Sequence, residues 1–305
     1  MTQHTIRIAT RKSDLALWQA NHVADLLRAL PDVRSVELVP MVTKGDRILD
    51  VALNKVGGKG LFIKELEHAM LERTADIAVH SMKDVPAEMP EGFTIAAVLT
   101  RADPRDAVVG TTLEALPQGA TVGTSSLRRS SQLKMLRPDL DIQPVRGNVN
   151  TRLAKLDAGD FDAILLACAG LQRLGMPERI AQALPVTTML PAVGQGIVGI
   201  ECLSERDELR ALLGKLQSAK SADAIAAERA VALTLEATCH SPLGVHAVTD
   251  DDGQLALEAL LTSTDGQTAL RETIRGAASD GDALGQQIAQ RMLDNGAAEL
   301  IHQAV

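Results

Sequence analysis

Tyrosine is absent from these 305 residues, and aromatic side chains make up only 1% of them. So sparse a supply excludes a surface that binds nucleic acid by stacking bases on aromatic platforms. The formal net charge of −8 points the same way, because broad phosphate binding needs a basic surface. Cysteine is nearly as scarce. Cys168, Cys202 and Cys239 are odd in number and lack metal-type spacing, so they build neither a disulfide framework nor a zinc site. Long apolar runs are missing as well: none reaches the length of a bilayer span, and Met1-Thr2-Gln3-His4-Thr5-Ile6-Arg7 lacks a signal-peptide core. The expectation is a cytoplasmic protein with no nucleic-acid, membrane or metal partner.

What is present is a chain long enough for two or three domains, with a hydrophobic fraction of 46% that suits a globular core. Its most informative stretch is Ala75-Asp76-Ile77-Ala78-Val79-His80-Ser81-Met82-Lys83-Asp84-Val85-Pro86. Ile77 and Val79 sit in a short apolar run of the buried-strand kind; Ser81, Lys83 and Asp84 follow at once, and Pro86 ends regular structure. Ligands of open α/β sheets gather outside the carboxyl ends of the strands. A single such run is most often a surface turn, so the weight lies in its repetition.

The repetition is clear. Arg7 to Thr10 reads as a strand followed by Arg11 and Ser13, with Ser13 the N-cap of a helix over residues 15–30 that turns Trp18, Val23, Leu26 and Leu27 to the core. Val36 to Val42 is a second strand, and Val56-Gly57-Gly58-Lys59-Gly60-Leu61-Phe62 is a Gly-rich loop without the P-loop's Lys-Ser/Thr ending. Thr121-Val122-Gly123 delivers Thr124, Ser126, Arg128 and Arg129; Asp141 to Val145 delivers Arg146 and Arg152; Ala163 to Ala167 delivers Arg173. Arginine at a helix start opposes the helix dipole, so repeating it costs stability unless an anion binds there. An anionic small molecule is the implied ligand.

Two connectors, Arg101 to Asp106 and Pro191-Ala192-Val193-Gly194-Gln195-Gly196, suit paired crossings between two lobes. Beyond Cys239 the pattern changes to short strands separated by Asp252-Gly253 and Asp265-Gly266, then a helix over about residues 283–293, which reads as a small α+β domain.

The blocks His80-Ser81-Met82-Lys83-Asp84-Val85-Pro86 and Gly123-Thr124-Ser125-Ser126-Leu127-Arg128-Arg129, in this order and with those around them, resemble the porphobilinogen deaminase (hydroxymethylbilane synthase) family over nearly the whole chain. The resemblance implies an α/β protein with two type II periplasmic-binding-protein-like domains joined by a double hinge, plus a small C-terminal α+β domain. On these residues that means residues 1–100 with 197–217, residues 105–192, and residues 218–305. It implies a monomeric transferase that deaminates four porphobilinogens and joins them head to tail into hydroxymethylbilane. The reaction is primed by a dipyrromethane cofactor held by a thioether at Cys239. It further implies Asp84 as the catalytic carboxylate, beside pyrrole nitrogens where positive charge develops. Arg11, Ser13, Lys83, Thr124, Ser126, Arg128, Arg129, Arg146, Arg152 and Arg173 join Asp84 and Cys239 as cofactor-binding residues. Lys59, Phe62, Ser81 and Gln195 are expected at the substrate or on its loop. One departure stands out: the family's Gly-Gly-Cys is Ala237-Thr238-Cys239 here, followed by His240. Two other readings fit an arginine-lined cleft, namely a non-catalytic two-lobed anion-binding protein and an anion-handling transferase without a covalent primer.

Overall fold

The computed structural model describes residues 4–43, 45, 63–238 and 241–303. The chain divides into two compact units, Met1–Arg101 with Ile197–Ala222 and Ala102–Gly196 with Asp223–Val305. The chain thus passes from one unit to the other after Arg101, after Gly196 and again after Ala222, inside the helix Ala219–Thr234.

The first unit is built on a five-stranded sheet. Its strands are β1 (His4–Arg11), β2 (Val33–Met41), β3 (Ile77–Ser81), β4 (Phe93–Val98) and β10 (Val198–Leu203), in the order β2-β1-β3-β10-β4. β1 runs parallel to β2 and β3, whereas β10 is antiparallel to both β3 and β4. Alternation of side chains gives the sheet two apolar faces. Ile6, Ile8, Ile77, Val79 and Ile200 pack with Val23 and Leu27 of the helix Asp14–Arg28 and with Leu209, Leu212 and Leu213 of the helix Asp207–Gly214. Ala9 and Ala78 meet Leu66 and Met70 of the helix Lys64–Leu71 on the other face.

Ser13 caps the helix Asp14–Arg28 as expected, accepting from the Ala16 N–H at 3.4 Å. Trp18 departs from expectation. The helix buries Gln19, Ala20, Val23, Ala24 and Leu27, and a residue one step before Gln19 lies about 100° away from it and on the far side of that stripe. Trp18 is therefore exposed, stacked on His22 at 5.1 Å between ring centroids.

The second unit repeats the design. β5 (Asp106–Val109), β6 (Thr121–Gly123), β7 (Asp141–Gln143), β8 (Ala163–Ala167) and β9 (Gln182–Ala183) lie in the order β7-β6-β8-β5-β9. β6 is parallel to β7 and β8, and β5 is antiparallel to β8 and β9. In each sheet the antiparallel fourth strand is the one that follows a crossing of the chain between units. Such a strand begins where its parallel neighbours end. Val198 is opposite Ser81 in the first sheet, and Asp106 is opposite Ala167 in the second.

The same unit carries an antiparallel three-stranded sheet of β11 (Leu243–Thr249), β12 (Gln254–Thr262) and β13 (Ala269–Ala277), with the helices Gly281–Asp294 and Ala297–His302. The last helix has no counterpart in the sequence reading. This small sheet is tied to the helix Leu127–Leu136 through Thr262 Oγ1 and Ser131 Oγ at 2.6 Å and through Lys134 Nζ, which donates to the Thr264 carbonyl at 3.2 Å. Two α/β sheets and a small α+β sheet with helices make up the expected fold class.

Candidate active site

In the first unit the expected residues collect at the carboxyl ends of β1 and β3. Arg11 is the last residue of β1, Ser81 the last of β3, and Met82-Lys83-Asp84 form a single 3-10 turn. Met82 is buried beneath that turn, and β10 offers it Gly199, where a Cβ would collide with the Met82 Sδ. The turn is therefore anchored by the buried thioether of its first residue, Met82, while Asp84 stands exposed at its end. Among the described residues the Asp84 carboxylate makes no ion pair. Gln19, buried on the helix Asp14–Arg28, donates its amide to Ser81 Oγ at 2.7 Å. That fixes the serine oxygen as an acceptor and leaves its own proton to donate elsewhere. One residue earlier, His80 Nε2 lies 2.7 Å from Glu201 Oε2, a pair wholly inside the unit beneath the strand end.

The second unit gathers its set at the ends of β6 and β8. Thr124 is buried, its N–H donating to the Gln143 carbonyl at 2.9 Å and its hydroxyl accepting from the Ser126 N–H at 3.2 Å. Ser126 caps the helix Leu127–Leu136. Arg146 precedes the helix Val149–Asp157, whose cap Asn148 accepts from the Thr151 N–H at 2.9 Å; the turn between needs Gly147, at φ 108°. Arg152 Nε donates back to the Gly147 carbonyl at 2.9 Å. Arg173 differs from the sequence reading. It closes the helix Cys168–Arg173 instead of opening one, a place where the dipole favours a cation, and its Nη2 donates to the Gly196 carbonyl at 2.7 Å. Burial pushes its pKa below the usual arginine value.

Arg128 and Arg129 begin the helix Leu127–Leu136, yet only 4% and 5% of their surface is exposed. Both turn onto Asp106, which is fully buried. Arg128 Nη1 lies 2.6 Å from Asp106 Oδ2 and also donates to the Leu190 carbonyl at 2.8 Å. Arg129 donates from Nε to Asp106 Oδ1 at 2.9 Å and from Nη1 to the Leu165 carbonyl at 2.9 Å. Gln195 Nε2 completes the cluster, donating to Asp106 Oδ1 at 3.1 Å and to the Pro104 carbonyl at 2.6 Å. Burial acts to raise the Asp106 pKa, but the two guanidiniums and the hydrogen bonds from Arg128 and Gln195 outweigh it and hold the carboxyl well below the usual range. For Arg129, burial outweighs the pull of Asp106 and lowers its pKa.

Sequence reasoning missed Asp106, Gln19 and the His80–Glu201 pair. The sequence places Asp106 in a polar connector, although the apolar Ala107-Val108-Val109 behind it carries a strand signal. Lys59, Phe62, Cys239 and His240 lie outside the described residues. Cys168 and Cys202 are buried, and burial pushes their thiols up to about 12 and about 11, which suits inert apolar fillers.

Residues 6–211 match the family model described as porphobilinogen deaminase, dipyromethane cofactor binding domain, and residues 222–294 match porphobilinogen deaminase, C-terminal domain. The chain belongs to the porphobilinogen deaminase family. It is thus an enzyme of the hydroxymethylbilane synthase class, with dipyrromethane as its cofactor. Among solved structures, the periplasmic aliphatic sulphonate binding protein SsuA from Escherichia coli aligns at a TM-score of 0.42 and 11% identity, over 100% of this chain and 92% of its own. The probable amino-acid ABC transporter extracellular-binding protein ytmK from Bacillus subtilis aligns at 0.41 and 13%, over 70% and 90%.

Two observations test whether residues of a porphobilinogen deaminase of this sequence fit the cofactor, whose pyrroles carry acetate and propionate side chains. The cluster around Asp106 sets two guanidiniums against one carboxylate, a surplus of positive charge in a buried place. Arg128 Nε is also buried with no hydrogen-bond partner among the described residues. A carboxylate answers both demands, so the donor set fits a polycarboxylate. No metal-type group of three or more His, Cys, Asp or Glu occurs among the described residues, and none of their helices is long and apolar enough to cross a membrane.

Proposed function

We propose that the chain deaminates porphobilinogen and joins four molecules head to tail into hydroxymethylbilane, working as a cytoplasmic monomer on a primer attached at Cys239. Asp84 is the catalytic carboxylate. The observation that carries this reading is the position of Asp84: an exposed carboxylate on a turn pinned by buried Met82, at the carboxyl end of a strand in an open α/β sheet.

When bound, the dipyrromethane supplies the terminal pyrrole carbon on which the product grows. The residues around it have separate tasks. As ammonia leaves porphobilinogen, positive charge spreads onto the substrate's pyrrole nitrogen, and a carboxylate held beside it stabilises that charge more than it stabilises the ground state. Asp84 has that task. Arg11, Ser13 and Lys83 of the first unit, and Thr124, Ser126, Arg128, Arg129, Arg146, Arg152 and Arg173 of the second, hold acetate and propionate groups. A guanidinium takes a carboxylate in bidentate fashion, which fixes orientation as well as position. Ser81, with its oxygen already accepting from Gln19, directs its proton toward an acceptor on the substrate. Lys59, Phe62 and Gln195 complete the substrate side of the same reading.

Asp84→Asn tests the proposal, because it keeps the shape and removes the charge. Single-turnover ammonia release from cofactor-loaded protein should slow by roughly 10²–10³, the usual effect of losing one electrostatic stabiliser. Folding and cofactor retention should be unchanged. Asp84→Glu should retain more activity than Asn. An Asn variant as fast as the parent enzyme would assign the charge to another group.

A further inference from the structure

Two separated segments converge on Asp106. Arg128 and Arg129 reach it from the helix after β6, and Gln195 reaches it from the loop before Ile197. Its place follows from topology. β5 is antiparallel, so its first residue lies opposite Ala167, the last residue of β8, at the edge where the parallel strands end. Asp106 is an anion buried there against the cations Arg128 and Arg129.

The cluster is not self-sufficient. Two guanidiniums against one carboxylate leave one positive charge over, and desolvating it is costly without a further anion. Two polar atoms are also unmet among the described residues, Arg128 Nε as a donor and Gln195 Oε1 as an acceptor. The Gln195 amide cannot be turned round to relieve this, since its nitrogen already donates to two oxygens, the Pro104 carbonyl and Asp106 Oδ1. A purely structural ion pair would have matched its charges and closed its hydrogen bonds.

We infer that Asp106 is a positioning residue: it fixes the guanidiniums of Arg128 and Arg129 and the amide of Gln195 so that they take up a cofactor carboxylate and its neighbouring N–H donor. Asp106 does not touch the ligand. It acts by orienting groups that do, and by holding their net charge at one positive unit instead of two. The inference rests on the reading in which Arg128 and Arg129 hold carboxylates.

The test uses full-length protein made in cells that cannot form porphobilinogen, then mixed with porphobilinogen while cofactor loading is followed by intact mass. By analogy with the groups that orient a metal's ligands, Asp106→Asn should load on the order of 10–100-fold more slowly. Asp106→Glu should fall between Asn and the parent while melting close to the parent. Arg128→Leu should also load slowly, and the double variant Asp106→Asn/Arg128→Leu should be no slower than the worse single one, since one residue acts through the other. Normal loading by Asp106→Asn beside defective Arg128→Leu would overturn the positioning role alone, as would two defects that multiply in full. Normal loading by both Arg128→Leu and Arg129→Leu would instead remove the carboxylate reading on which it rests. If the Asn variant does not fold, the Glu variant decides, and loading at the parental rate there overturns the inference.

Discussion

A single buried carboxylate shows how much an isolated residue can owe to its neighbours. Burial by itself would raise the Asp106 pKa; Arg128, Arg129 and Gln195 reverse the direction and leave it depressed. A group whose folded pKa lies below its unfolded value contributes stability that is fully present above the unfolded value and is lost as pH falls through the folded one. The melting-temperature gap between the parent protein and Asp106→Asn should therefore stay constant from neutral pH down to about 4, the ordinary range of an unfolded aspartate, and narrow only below it. Thermal melts at stepped pH check this. A gap that stays constant below pH 4, or that widens as pH falls from 7 to 5, would show a carboxyl that is not depressed. Nothing in the sequence around Asp106 announces this role. It stands beside Arg105 and Pro104 in what looks like a polar connector, and its partners come from some twenty and ninety residues away, a relation no local pattern encodes. Ser13 was legible because a cap is decided by immediate neighbours.

At the scale of elements, a strand followed by a capped helix recurs, and the caps decide how firmly each arginine is presented. The helix Val149–Asp157 is short, so its start depends on Asn148, which accepts from both the N–H and the hydroxyl of Thr151. Asn148→Ala should destabilise the protein by about 1 kcal/mol in denaturant titrations, and Asn148→Asp should restore most of that. Because Arg152 sits on this helix and bonds back to Gly147, the Ala variant should also load cofactor less readily than its stability alone would explain. Equal stability of Asn148→Ala and the parent would show the cap to be idle. Strand identities were readable from apolar runs, and so was their delivery of polar residues at carboxyl ends. β5 and the helix Cys168–Arg173 were among the elements that were not. β5 is four residues long and opens on a charged side chain, and the helix Cys168–Arg173 places its arginine last because Ala167-Cys168 begins helix directly after the strand. Trp18 was misplaced for a related reason: a helix start fixes the angular position of every later residue, and Gln19, not the indole, falls on the buried stripe.

The whole molecule carries one argument twice. Each α/β unit has three parallel strands whose ends present polar residues, and an antiparallel strand that begins at the same edge after the chain crosses between units. The order β2-β1-β3-β10-β4 and the order β7-β6-β8-β5-β9 are the same plan, so a single design principle places Ser81, Lys83 and Asp84 in one unit and Asp106 with Arg128 and Arg129 in the other. Strand order was beyond the sequence, because it depends on pairings between segments as distant as β3 and β10. The small antiparallel sheet after Cys239 was legible from its Asp-Gly turns and apolar alternation. The proposed reaction depends on the primer at Cys239. Its presence is read most directly from the intact mass of protein made in cells with a working supply of porphobilinogen. The account expects a chain heavier than its sequence by two porphobilinogens less two ammonias, with the added mass mapping to the peptide that contains Cys239 and lost in Cys239→Ser. A fully active protein of unmodified mass would contradict it.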